Sequence, residues 1–258
     1  MPLSLTKINY KTFFINLLFS FIPISFIAGN LILNLNVLLF IIFSVVFYGK
    51  NILSLRFNNL DKIILIFFAY TIFTGVLNNL YLQSENLEDY YIIIKTFLYL
   101  RFLIFYLVIR VLINENIIDF KSFFILCFIC TYFVSLDLIY QLNFGQDIFG
   151  YISTDPRRLS GPFENEAIAG SYLQRFSVFA LFLFPLFLNN KNKIYLYLLL
   201  LLSFILIIVG LIIAGNRMPL ILFIILITGV LSFNKPMQKF LLSFLLLSAI
   251  ILATLWNF

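Results

Sequence analysis

The sequence of 258 residues contains no histidine, two cysteines, one tryptophan and only 11% charged residues. Each shortage excludes something. Without histidine there is no imidazole base within these residues, and a zinc site that relies on imidazole ligands is excluded. The two cysteines form Cys127-Phe-Ile-Cys130 inside an apolar segment. A CxxC pair can mark a redox or metal site, but both need accessible thiolates and usually further ligands. Packing as two small residues within a helix is the plainer role. Soluble globular domains carry about 25% charged residues, so the scarcity of charge argues against a chain folded in water.

What is abundant is hydrocarbon. The chain is 63% apolar with a mean hydropathy of +1.08. Runs of Leu, Ile and Phe reach the length that crosses about 30 Å of bilayer as a helix. The expected fold is an all-α polytopic integral membrane protein of about nine transmembrane helices with a cytoplasmic N-terminus. The candidate spans are Phe13–Ala28, Leu31–Tyr48, Ile63–Leu82, Tyr91–Ile113, Phe120–Leu142, Ile168–Leu188, Ile194–Ala214, Pro219–Phe233 and Phe240–Trp256. No repeat or low-complexity linker divides them, so residues 1–258 read as one transmembrane domain. Lys7 and Lys11 precede the first run as in a signal peptide, but no small-residue cleavage site follows, which favours a retained helix. The richness in Phe, with abundant Ile, Asn and Lys, fits an AT-rich genome and carries little structural weight.

The formal net charge of +6 does not point to nucleic acid, because the lysines fall in short loops where they set topology. With the N-terminus inside, Lys7, Lys11, Lys50, Arg56, Lys62, Arg110, Lys121, Lys191, Lys193, Lys235 and Lys239 all lie on the cytoplasmic side, as the positive-inside rule requires. Glu85, Glu88 and Asp89 fall outside. Only three loop arginines go against the rule: Arg157, Arg158 and Arg217. The first two belong to the longest outer connection, residues 143–167, and Arg217 to the turn "AGNRMP" on the same face.

Several ionisable residues lie within spans, where each costs about 2.5–3.5 kcal/mol at mid-bilayer on insertion scales. Lys95 is placed to snorkel to the outer interface, with Asp137 a candidate partner at similar depth. Arg101, mid-span, and Arg175, roughly 10 Å into its helix at 1.5 Å per residue, reach an interface less easily. At least one of them is expected to line a cavity open outward, with Ser171 and Tyr172 continuing a polar wall beside Arg175. Thr71, Thr74 and Asn78 form a stripe that reads as interhelical glue.

The segment "RRLSGPFENEAIAGSYLQRF" (Arg157–Phe176) gathers charge around Gly161-Pro162, a turn signal. One reading is structural: Glu164 and Glu166 favour a helix start through the helix dipole, and the arginines pair with them. The other is an anion site in which Arg157, Arg158 and Arg217 converge above Arg175. Guanidinium groups suit phosphate by bidentate hydrogen bonding, and either glutamate is placed to take a proton from an attacking hydroxyl.

"RLSGPFENEAIAGSYL" resembles the loop-to-helix motif of the O-antigen ligase and O-antigen polymerase family, Arg-x-x-Gly-x-Phe followed by Asn and small residues. "IIAGNRMPLILFIIL" resembles that family's later segment, with a small residue and an arginine at a helix junction, in the same order and at a similar separation. The resemblance implies a fold like the membrane region of GT-C-like glycosyltransferases and a cofactor-free, metal-independent enzyme of the bacterial inner membrane. Such an enzyme moves a glycan from an undecaprenyl-diphosphate carrier to an acceptor glycan hydroxyl at the periplasmic face. By position, Arg158 and Arg217 would hold the diphosphate, Gly161 would allow close backbone approach, Pro162 would stay in the turn and Phe163 would pack it. Ligases of the family use a histidine in a large periplasmic loop that follows these motifs. The chain is therefore expected to be the N-terminal part of such an enzyme. The alternative is a transporter or flippase using the same arginines without chemistry, or an inactive fragment.

Overall fold

A computed structural model describes residues 10–53, 55–81, 88–155, 157–183 and 193–233. All regular structure among them is helical: α1 (Tyr10–Ser20), α2 (Ile22–Ile27), α3 (Asn30–Leu53), α4 (Asn59–Tyr81), α5 (Glu88–Asn114), α6 (Phe120–Phe144), α7 (Ala169–Leu181), α8 (Lys193–Ile213) and α9 (Arg217–Phe233). Among the described residues, five segments are long and apolar enough to cross a membrane: Tyr10–Ile27, Asn30–Ile52, Asn59–Asn79, Ile94–Asn114 and Phe120–Phe144. Shorter apolar helices follow at Leu198–Ile213 and Arg217–Val230. Helix is the open-chain way to satisfy every backbone polar group inside hydrocarbon, and long runs of Leu, Ile and Phe leave no competing turn chemistry. The described residues are those of an all-helical, multi-pass membrane protein. The expected span Phe240–Trp256 lies outside the described residues, as does the end of Ile168–Leu188.

The first span is two helices in series. Pro23 has no N–H to give to the helix ladder and its ring crowds the preceding turn, so α1 and α2 meet at Phe21. Helix hydrogen bonds run into and out of this joint, from Phe21 N to Leu17 O and from Ser25 N to Phe21 O.

Residue contacts group the chain into two compact units. The first holds residues 1–25 and 30–119, with α3 packed on α1 and α5, and α4 on α5. Its connections are tied by side chains rooted in helices. Asn16 donates to Ile117 O (2.9 Å) and accepts from Asp119 N (2.7 Å). Asp61, 1% exposed, forms an ion pair with Arg110. It also accepts from the Tyr106 hydroxyl at 2.8 Å and from Asn58 N at 2.6 Å. Arg110 donates further to Arg56 O at 3.1 Å. Thr71 and Thr74 give their hydroxyl protons to carbonyls of their own helix, at Phe68, Tyr70 and Thr71. Neither threonine hydroxyl therefore needs the interhelical partner that the glue reading supposed.

The second unit comprises residues 26–29 and 120–258. In it α6 packs on α7 and α8, and α7 on α8 and α9. Its core is aliphatic and aromatic: Val134, Leu138, Leu173, Ile207, Leu211 and Phe223 are buried. Tyr172 sits at the centre of an aromatic cluster, its ring 4.6 Å from Phe176, 5.3 Å from Phe163 and 5.9 Å from Phe26, centroid to centroid.

Candidate functional site

The site is built on the last two turns of α6, where Asp137, Leu138 and Gln141 are buried. Asp137 and Gln141 stand one turn apart, so their side chains leave the helix on one face. They are 0% and 1% exposed. Both act as pegs for the connection that follows. Asp137 accepts from Ile148 N at 2.8 Å. Gln141 accepts from Gly161 N at 2.9 Å and donates to Tyr151 O at 3.4 Å. A third peg lies within the connection: Asp147, also buried, accepts from Tyr151 N at 2.6 Å. Two distant parts of the loop, around residues 148–151 and at 161, are thus fixed to a single helical turn.

Between those anchors the chain makes a tight turn that presents two arginines. Arg158 N donates to Asp155 O at 3.0 Å, and Arg157 N donates to the Asp155 carboxylate at 2.9 Å. This is an Asx-type arrangement, in which an aspartate side chain organises the backbone two residues on. Ser153 Oγ closes the base by donating to Arg158 O at 2.6 Å. The backbone groups are used up in the turn, and the side chains of Arg157 and Arg158 are exposed.

After the turn, Ser160, Gly161, Pro162 and Phe163 are all buried. Gly161 has φ +57, the left-handed region that glycine enters at no steric cost. Its α-carbon lies against Leu138 and the Asp137 carboxylate, at 3.3 Å and 3.7 Å from where a Cβ would stand. Phe163 turns inward onto Tyr172. Glu164 also has positive φ, at 55, and Glu164, Asn165 and Glu166 are exposed. Helix α7 starts only at Ala169, with no acidic residue in its first turn.

The second arginine-bearing segment comes against the first at Gly215. A Cβ built there would fall on the carbonyl oxygen of Arg157 and within 3.2 Å of Arg158 Cα. Gly215 also has φ +72. Backbone therefore touches backbone, a contact that a side chain at position 215 would prevent. Asn216 adds a donor to Ala167 O at 2.9 Å. Gly170, at the start of α7, lies beside Ala214, Asn216 and Pro219. The turn at residues 215–216 is thus held between Arg157–Arg158 on one side and Ala167–Gly170 on the other. Arg217 follows immediately, exposed, at the start of α9.

Among the described residues, none of Arg157, Arg158, Arg175 and Arg217 forms an ion pair, and neither does Glu164 or Glu166. The arginines are not held by those glutamates, as the structural reading of the segment supposed. Arg175 is exposed on α7, whereas Tyr172 is 1% exposed within the aromatic cluster. The polar wall of Ser171, Tyr172 and Arg175 does not form, because Tyr172 belongs to the core face of α7. The Tyr172 hydroxyl and the Cys130 thiol share a hydrogen bond, and both cysteines are free and buried, as packing residues are.

The remaining expected residues lie elsewhere. Asp137, expected beside Lys95, has its partner in Ile148 N within its own unit. Lys95 is exposed on α5. Arg101 is half-buried on the same helix, its guanidinium 4.9 Å from the Phe102 ring centroid, with Nε lacking a hydrogen-bond partner. No cluster of three or more potential metal ligands occurs among the described residues. No known protein family, curated protein or solved structure matches the chain.

Proposed function

We propose that the chain is an O-antigen ligase- or polymerase-like glycosyltransferase. It transfers a glycan from an undecaprenyl-diphosphate carrier to an acceptor hydroxyl at the periplasmic face of a bacterial inner membrane. The observation that carries the reading is the backbone contact of Gly215 with Arg157–Arg158, which brings together two connections that carry three arginines without ion pairs among the described residues. Uncommitted arginines at the edge of an apolar bundle suit an anion attached to a lipid. A diphosphate offers oxygens for more than one bidentate guanidinium, and the leaving group gains negative charge as the glycosidic bond breaks. Fixed cations at that point stabilise the transition state more than the ground state. Arg158 and Arg217 hold the diphosphate in this reading, and Arg157 adds to the local field.

Binding of farnesyl diphosphate to the purified protein in detergent tests the reading, with inorganic diphosphate and farnesol as separate arms. Saturable binding of farnesyl diphosphate, weakened at least tenfold by Arg158→Ala and by Arg217→Ala, is expected. Inorganic diphosphate should bind more weakly and farnesol not at all through these residues. Equal binding by wild type and both variants would overturn the assignment.

A further inference from the structure

We propose that residues 147–152, early in the connection after α6, form a loop embedded in the bilayer, with outward side chains that contact lipid acyl chains. The inference does not depend on the glycosyl-transfer reading. It begins where the helix stops. Gly145, with φ +78, gives its N–H to Gln141 O at 2.8 Å, the left-handed cap that ends a helix and redirects the chain. The chain then runs back along α6 rather than away from it. Ile148 N reaches the Asp137 carboxylate, and the Phe149 ring reaches that of Phe133, 6.3 Å between centroids.

Those partners lie deep. With its 25 residues, α6 is about 37 Å long against about 30 Å of hydrocarbon. Asp137 stands about 10 Å before the Phe144 end, and Phe133 about 16 Å before it, at 1.5 Å per residue. Even with the surplus of roughly 7 Å placed wholly beyond this leaflet, both residues stay at the level of the acyl chains. Tilting the helix only deepens them.

Irregular backbone at that depth is tolerated where protein satisfies its polar groups. Here the N–H groups of Asp147 and Gly150 go to Tyr151 O and Asp147 O, at 2.9 Å and 3.0 Å. Those of Ile148 and Tyr151 go to the carboxylates of Asp137 and Asp147, at 2.8 Å and 2.6 Å. Gln141 donates to Tyr151 O. A buried aspartate and a buried glutamine, one turn apart on a membrane helix, thus take the place of water for the loop.

The outward side chains have the opposite character. Ile148, Phe149 and Ile152 are each more than half exposed, while Asp147, the one charged residue of the loop, is buried. Phe133, which Phe149 touches, shares a helix face with Leu136 and Tyr140, and both of these are exposed. The loop therefore extends the apolar surface that α6 already offers to lipid. Facing water, an apolar patch of this kind would be unusual.

Tryptophan fluorescence of the full chain in phosphatidylcholine vesicles tests this, in a Trp256→Phe background that removes the single native indole. Phe149→Trp and Ile152→Trp place probes on the loop, two positions so that one poorly folding variant does not decide the result. Leu136→Trp, on the exposed face of α6, marks lipid contact. Asn165→Trp, on an exposed part of the same connection, marks water. Quenching by lipids brominated on the acyl chain is compared with quenching by aqueous iodide. Both loop probes should lose as much fluorescence to bromolipid as Leu136→Trp does, and no more than it does to iodide. Iodide quenching at the level of Asn165→Trp would put the loop in water. Quenching by neither agent would mean that protein covers it, from this chain or a second copy. Either result would overturn the proposal.

Discussion

Arg110 in the first unit and the arginines around residues 157–158 and 217 in the second are used in opposite ways. In the first, Arg110 is spent on the fold: it pairs with buried Asp61, donates to Arg56 O, and shares that carboxylate with Tyr106 and Asn58 N. In the second, the buried carboxylate Asp137 meets a backbone amide instead, and the arginines stand at the surface without carboxylate partners among the described residues. Burying a charge is tolerable when an opposite charge and hydrogen bonds compensate it. Arg110 with Asp61 satisfies that condition internally. Arg157, Arg158 and Arg217 do not, so their compensation comes from water or from an anion that arrives. The difference separates a cation that belongs to the architecture from cations available for binding.

Substitutions sharpen that contrast, and the largest effect falls in the first unit. Asp61→Leu leaves Arg110, only 15% exposed, without its partner, and should destabilise the protein by about 3–5 kcal/mol in thermal or denaturant unfolding in detergent. Gly215→Val comes next. It places a branched side chain at positive φ and drives it into the Arg157 carbonyl, so a loss of about 3 kcal/mol is expected from strain and overpacking together. Farnesyl diphosphate binding should fall with it, because the two arginine segments are pushed apart. Gln141→Leu leaves the buried Gly161 N–H without an acceptor and should cost about 1–3 kcal/mol, whereas Gln141→Glu keeps an acceptor and should cost less. Smallest are Arg157→Ala, Arg158→Ala and Arg217→Ala. As exposed residues without ion pairs they should change stability by no more than about 0.5 kcal/mol, while anion binding is lost. An equal stability loss for Arg110→Ala and Arg158→Ala would erase the distinction between the units.

The helices were legible because hydrocarbon runs of membrane-spanning length admit few other structures. The proximity of the two arginine segments was legible too, since both follow from the same alternation of connections. The pegs were not. Asp137 looked like a partner for Lys95 because charge invites pairing with charge, but a carboxylate near a helix end can equally hold loop amides. Its signal was the polar residue one turn on, Gln141, which puts two acceptors on one face beside a long connection. Tyr172 misled for a related reason. Its hydroxyl suggested a polar wall, but its ring packs with Phe163 and Phe176, and a ring that large is held by the core while the hydroxyl finds Cys130. Gly215 was read as part of a motif, and only its contact with Arg157 shows what the missing side chain allows.

The most direct test is a cross-link between the two connections. Arg158→Cys and Arg217→Cys, introduced together, are treated in native membranes with a short thiol-reactive cross-linker that does not cross the bilayer. Cys127 and Cys130 are buried and stay in place. Efficient intramolecular cross-linking of the double variant, abolished when Gly215→Val is added, is the expected result. Two thiols that react from opposite faces of the membrane, or that react on one face without ever joining, would contradict a shared arginine site.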